Sequence, residues 1–330
     1  MYQPEAYAAA LFFMIISMVC WGSWANTMKL TPGYAFPLFY WDYLVGMVAG
    51  ALAWGFTLGS HGGAGLSFLV DLRGADTGHV LYALLAGIIF NVANLLLVAA
   101  IEIAGLAVAF PIGIGLALVV GVLMNYLISP RGNPFLLFSG IVLVVLAIIF
   151  DAMAYQKREV EKKAVSARGI KISIACGILM GTFYPLIVKA TTGKAALGPY
   201  AVAFLFCIGA VLCALPLNYY FMRKPLTGAA PVTMQQFFAT KPAYHLWGVV
   251  GGLIWCTGTT FNFVASHAQL VGPAISYALG QGATMVSAIW GVFIWREFVN
   301  APAESRRFIP LMFLFFLIGL GAIAIAPLYH

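Results

Sequence analysis

The 330-residue chain is 63% hydrophobic and only 8% charged, with a mean hydropathy of +0.97. A soluble domain carries roughly 25% charged residues, so the composition excludes one. The net charge of +7 is no nucleic-acid footprint either, because the basic residues of a membrane protein gather in its cytoplasmic loops. Apolar runs of about 20 residues instead predict helices that span a bilayer, whose hydrocarbon core is about 30 Å thick. None of the runs alternates with period two, as the strands of a barrel would.

The first five runs fall near 6–28, 36–58, 79–101, 104–128 and 134–154. The first begins "MYQPEAYAAA", with no basic leader and no small-residue cleavage pattern behind it, and reads as a retained helix. It carries "CWGSWANTMK", where Trp21 and Trp24 lie too deep to be interface anchors and read as the aromatic wall of a cavity, with Asn26 beside them. The second run holds Asp42 in "YWDY", one to two turns inside. A proton-coupled carrier needs a desolvated carboxyl that titrates near neutral pH, and Asp42 is the best candidate by depth. Glu102, at the tight turn between the third and fourth runs, is the second. Asn91 and Asn94, three apart, share a helix face, where they either meet a substrate or tie helices together.

A basic linker at 155–169 follows, and the runs resume near 170–190, 198–221, 244–267, 270–295 and 308–328. The sixth contains Thr182, Tyr184 and Pro185; like Pro111 in the fourth, Pro185 deletes a helical hydrogen bond. Thr257, Thr259 and Thr260 in the eighth more often bond their own helix than a ligand, whereas Asn262 is a candidate for substrate contact. His267 closes that run as a satisfied boundary residue. The ninth holds Gln281 between Gly280 and Gly282, and then Thr284. Side-chain amides have no partner in lipid, so Gln281 points to a wet cavity. Glu297 beside Arg296 reads as an interfacial ion pair. The five cysteines, Cys20, Cys176, Cys207, Cys213 and Cys256, lie inside apolar runs without any C-x-x-C pair, so neither disulfide, metal nor other cofactor is expected.

The linker splits the chain into five-helix halves, 1–154 and 170–330, that resemble one another. Gly22-Ser23-Trp24 matches Gly181-Thr182-Phe183. At a constant offset of 167, Gly105, Phe110, Gly113 and Gly115 match Gly272, Tyr277, Gly280 and Gly282. Five is odd, so similar halves cross the membrane in opposite senses, an inverted repeat of the kind secondary transporters use around a midplane site. Gly-x-Gly by itself also serves close helix packing. With the linker in the cytoplasm, 13 of the 17 basic residues share its side, and an even helix number puts both termini outside. No nucleophile–base pair or metal cluster falls at one membrane level, which argues against an enzyme.

"GSW" at 22–24, Asp42-Tyr43, Asn94 followed by "GLAV" at 105–108, "NYL" at 125–127, Ser287-x-x-Trp290-Gly291 and Glu297-Phe298 together resemble the drug/metabolite transporter superfamily. Within it the chain is most similar to the ureide permeases and their bacterial relatives, and next to the glucose/ribose uptake branch. The resemblance implies proton-coupled uptake, across the cell membrane, of a small neutral solute such as a ureide, nucleobase or nucleoside. Sugar uptake and efflux of drugs or metabolites stay open as alternatives. The plant relatives carry a long central loop with a phosphate-loop-like motif; this linker of about 15 residues has no G-x-x-x-x-G-K-[ST], so neither nucleotide nor nucleic acid is an expected partner. The substrate candidates are therefore Trp24, Asn26, Asn94, Tyr184, Asn262, Gln281 and Thr284, with Asp42 and Glu102 for the proton.

Overall fold

In lipid every backbone polar group must be satisfied within the chain, so a sequence this apolar folds into helices. The computed structural model describes residues 1–158, 166–225, 229–268 and 270–329, the side chains of Leu106 and Ala107 apart. Among the described residues there is no strand, and ten helices are long and apolar enough to cross a bilayer. They are α1 (Tyr7–Lys29), α2 (Phe36–Phe56), α3 (Thr77–Ala104), α4 (Leu106–Ile128) and α5 (Pro134–Arg158). The second set is α6 (Ala167–Ala190), α7 (Pro199–Arg223), α8 (Pro242–Ser266), α9 (Gly272–Ile294) and α10 (Ala303–Leu328). The chain is thus an all-helical, multi-pass membrane protein. The basic linker is shorter than its composition indicates: α5 runs on through Arg158 and α6 starts at Ala167, capped by Ser166. Its centre, 159–165, lies outside the described residues.

Helix boundaries follow local chemistry. Proline opens the first turn of α2, α7, α8 and α9, where its missing N–H has no partner to lose. Asp76 caps α3 by accepting from the Gly78 N–H at 2.9 Å. Gly105 and Gly272 supply the turns into α4 and α9 with φ of +80° and +72°, a backbone region that a side chain strains.

Backbones approach closely where helices of the two halves cross. On α2 and α8, a Cβ added to Gly46 would lie 2.1 Å from the Val249 carbonyl oxygen, and one on Gly252 would lie 2.0 Å from that of Tyr43. On α3 and α7, Gly87 faces the Phe206 oxygen at 2.0 Å and Gly209 faces the Leu84 oxygen at 2.1 Å. α5 and α10 pair at the edge through Gly140 and Gly319. Small residues permit such contacts, and dispersion together with the absence of competing water holds them. α9 is not one continuous rod: it breaks at Gln281-Gly282, ends in a π-turn over Trp290–Ile294, and stops at Arg296 with φ +50°.

Candidate functional site

The deepest polar cluster is built by α2 and α3. Asn91 and Asn94, on one face of α3, both reach Tyr40: its hydroxyl donates to Asn91 Oδ1 at 2.7 Å and accepts from Asn94 Nδ2 at 3.2 Å. Tyr40 stacks on Tyr43 at 5.3 Å between ring centres. Tyr43 in turn meets Trp24 of α1 at 4.8 Å and Trp255 of α8 at 6.1 Å. Phe90 of α3 packs 4.6 Å from Trp255 and 5.6 Å from Phe183 of α6. Phe206 of α7 closes the ring, stacked on Trp255 at 6.0 Å. Side chains of six helices thus pack ring against ring in one aromatic cage, with two amides beside it. Two fully buried donors there, the Tyr43 hydroxyl and Asn91 Nδ2, make no hydrogen bond within the distance and angle of a good one to any described residue. Leaving a buried donor unpaired costs about 1–3 kcal/mol, and such groups call for an explanation.

A second cluster joins α6, α8 and α9, and its groups bond one another. Tyr184 donates to Asn262 Oδ1 at 2.7 Å, Asn262 Nδ2 donates to the Ser276 carbonyl at 2.9 Å, and Ser276 Oγ returns a bond to the Asn262 carbonyl at 2.8 Å. Gly280 lies between the two clusters, where a Cβ would come 2.6 Å from the Trp21 ring and 2.8 Å from Asn262 Nδ2. Gly282 likewise faces Met18 Sδ at 2.6 Å. Gly115, by contrast, faces open space. The glycines beside Gln281 therefore admit side chains of α1. Gln281 itself is half-buried at the break of α9, its backbone carbonyl accepting from Thr284 Oγ1 at 3.0 Å, and its side-chain amide makes no hydrogen bond with any described residue.

At the linker end of α2, Asp42 is buried and held from two sides. Tyr34 donates to its Oδ2 at 2.8 Å, and His245 Nδ1, in the first turn of α8, lies 2.9 Å from Oδ2 and 3.0 Å from Oδ1. Burial, and then the carboxylate, push the Tyr34 phenol well above its ordinary value, so it stays a donor. Glu102 sits exposed in the last turn of α3, beside a cavity of about 280 Å³ that Asn218 and Phe221 also line. Asn26 lies apart from the cage: its Oδ1 accepts from Trp295 Nε1 at 2.6 Å near the same membrane face.

That Trp295 contact is part of a latch between α1 and the end of α9. Trp290 Nε1 donates to Ser23 Oγ at 2.9 Å, and Lys29 pairs with Glu297 at 2.5 Å. Arg158 at 2.9 Å and the Tyr155 hydroxyl at 2.9 Å complete the Glu297 shell from α5. The ion pair expected with Arg296 is thereby corrected, because the left-handed turn at Arg296 carries Glu297 back toward Lys29 and Arg158. Burial alone would raise the Glu297 carboxyl, but Lys29, Tyr155 and Arg158 outweigh it and hold it below its ordinary value. A lowered folded pKa gives stability that is complete above the unfolded value, about 4.3, and is lost as pH falls through the folded one. Glu297→Gln is expected to reduce stability at pH 7 by about 1 kcal/mol after screening, seen as a lower thermal midpoint, and to flatten the decline of that midpoint below pH 4. Melting curves of both proteins at pH 7 and pH 4 measure this.

The remaining candidates are ordinary. Thr257 and Thr259 bond back to the Leu253 and Trp255 carbonyls at 2.8 and 3.1 Å, and also accept from Trp54 and Trp21. His267 Nδ1 lies 2.8 Å from the Phe263 carbonyl, and burial lowers its pKa. Reading the sequence missed Tyr34, Tyr40, Tyr43, Trp255 and His245. A signal existed for His245: it lies one turn inside α8, as Asp42 does in α2, and both helices start on the same side.

Comparison with known proteins gives the family. A family model described as "Sugar transport protein" matches residues 14–326. Ureide permease 1 of Arabidopsis thaliana is 22% identical over 98% of both chains, and ureide permease 4 of the same plant is 23% identical over 96% of both. Glucose uptake protein GlcU of Bacillus subtilis (strain 168) is 27% identical over 60% of this chain and 62% of its own. A crystal structure, described only as that of a protein, superposes with a TM-score of 0.63 at 15% identity, covering 94% of this chain and 96% of that one, and shares the fold. These named relatives are transport proteins rather than enzymes, as the sequence led us to expect. The chain belongs to the sugar transport protein family and is a membrane transporter of small solutes.

Proposed function

We propose that the protein imports a ureide, nucleobase or nucleoside across the cell membrane, driven by the proton gradient. The observation that carries this reading is the aromatic cage of Trp24, Tyr43 and Trp255 beside the Tyr40–Asn91–Asn94 cluster, with two buried donors that no described residue pairs. Flat faces of Trp24, Tyr43 and Trp255 suit a planar heterocycle, and amides suit its alternating donors and acceptors. Ureide permeases that match the chain end to end support the same solute class. Asp42 takes the coupling proton in preference to Glu102, because it is buried and hydrogen-bonded on α2, the helix that carries Tyr40 and Tyr43 into the cage. Tyr184 and Asn262 set the shape of the second half, since their hydrogen bonds are already spent on each other and on Ser276. The halves 1–154 and 170–330 act as inverted repeats around the cage, with the linker in the cytoplasm and both termini outside.

Sugar uptake is the second reading, favoured by the family and by GlcU. Thermal-shift titration of the purified protein separates the two. A ligand at one hundred times its dissociation constant stabilises by about 2.7 kcal/mol. A shift with uracil or allantoin that Asn94→Ala removes is the expected result; a shift with glucose alone overturns the heterocycle reading.

A further inference from the structure

We infer that His245 is the proton-transfer partner of Asp42, and that the two share one proton which leaves toward the linker side through the imidazole. The inference rests on Asp42 being the coupling carboxyl.

The imidazole bridges two environments. Its Nδ1 lies within 3.0 Å of both carboxylate oxygens, and the His245 side chain is 27% exposed where that of Asp42 is 7%. A ring that takes a proton at one nitrogen can release it at the other, and Nε2 makes no hydrogen bond with any described residue. Tyr34 supplies the fixed contact: it donates to Oδ2 and lies 3.4 Å from Nδ1, holding the carboxylate in place whichever partner carries the proton.

Among the described residues no other charged group pairs with Asp42. From the α1–α2 turn comes Tyr34; from the short helix Met234–Phe238 comes the Phe237 ring, 4.7 Å from His245. From α8 comes Tyr244, whose hydroxyl bonds the Pro32 carbonyl, and from α1 comes Thr27, against Gly251. His245 is the one ion-pair partner of Asp42 among the described residues. At the opposite membrane face the nearest analogue differs: His79 meets the Thr192 carbonyl at 3.1 Å and the exposed Asp76 at 3.7 Å, with no buried carboxylate across from it.

The pair also sits where helix motion is felt. Gly248 packs on the Asp42 Cβ, one turn before the Gly46–Gly252 crossing of α2 and α8, so a tilt of either helix changes the Asp42–His245 distance. Asp42 precedes Tyr43, whose ring lines the cage. Solute in the cage and proton on the pair therefore pull on the same helix.

The test needs no solute. Infrared difference spectra of the purified full chain are recorded through a pH titration, with proton release to the medium followed by a pH-sensitive dye after a pH jump. The wild type is expected to show titrating buried carboxyl bands, of which Asp42→Asn removes one component. His245→Asn retains a donor to the carboxylate but no second ring nitrogen, so it should shift the titration and slow release at least tenfold; His245→Gln guards against misfolding of that variant. Tyr34→Phe should shift the titration without slowing release. An unchanged titration and release rate in both folded His245 variants overturns the relay while leaving Asp42 as the coupling carboxyl. Asp71 and Asp151 are buried as well and keep their own bands, so a spectrum from which Asp42→Asn removes no component overturns the Asp42 assignment and the relay with it.

Discussion

Asp42→Asn is expected to abolish uphill accumulation while sparing exchange. A one-unit pH gradient is worth about 1.4 kcal/mol per proton, which drives about tenfold accumulation if one proton moves with each solute. Asparagine keeps the volume of the side chain and still accepts from Tyr34, so packing against Gly248 survives. It cannot bind and release a proton at neutral pH. In proteoliposomes with an imposed pH gradient, the solute ratio should therefore fall from about ten to about one, while counterflow between labelled and unlabelled solute continues at a similar rate. Accumulation that persists unchanged would remove Asp42 from the coupling step.

Gly252→Ala is expected to be among the most damaging small substitutions in the bundle. The added Cβ would lie 2.0 Å from the Tyr43 carbonyl oxygen, with Met47 N at 2.8 Å and Gly46 Cα at 2.9 Å. All three are backbone atoms of α2, so no rotamer change relieves the clash, and the helices must part along the whole crossing. Overpacking in cores typically costs 1–3 kcal/mol; with backbone on both sides the cost here should reach about 3 kcal/mol or prevent folding. Gly115→Ala, with nothing within 4 Å, is the control and should leave the thermal midpoint nearly unchanged. Equal midpoints for the two variants would mean that α2 and α8 do not meet as described. Separating these helices would also displace Asp42 from His245, so any folded Gly252→Ala protein should lose driven uptake along with stability.

Much of this molecule is legible in its amino-acid sequence. Runs of apolar residues set the number and extent of the helices, because lipid leaves the backbone no other way to satisfy its polar groups. Local spacing puts Asn91 and Asn94 on one face, and the structure places both on Tyr40. Composition alone places Glu297 at an interface, yet its partners lie 268 and 139 residues away in the chain. No local rule reaches so far, since pairing depends on how helices cross. The same holds for Gln281, whose flanking glycines admit Trp21 and Met18 of α1, and for Tyr184 and Asn262, which bond each other. Helix content is decided residue by residue through the cost of an unpaired peptide group, and the sequence by itself determined it. Which polar side chains meet is decided by backbone approach at a few glycines, and only the tertiary structure could bring Asp42 to His245 or set Trp24 and Trp255 against Tyr43.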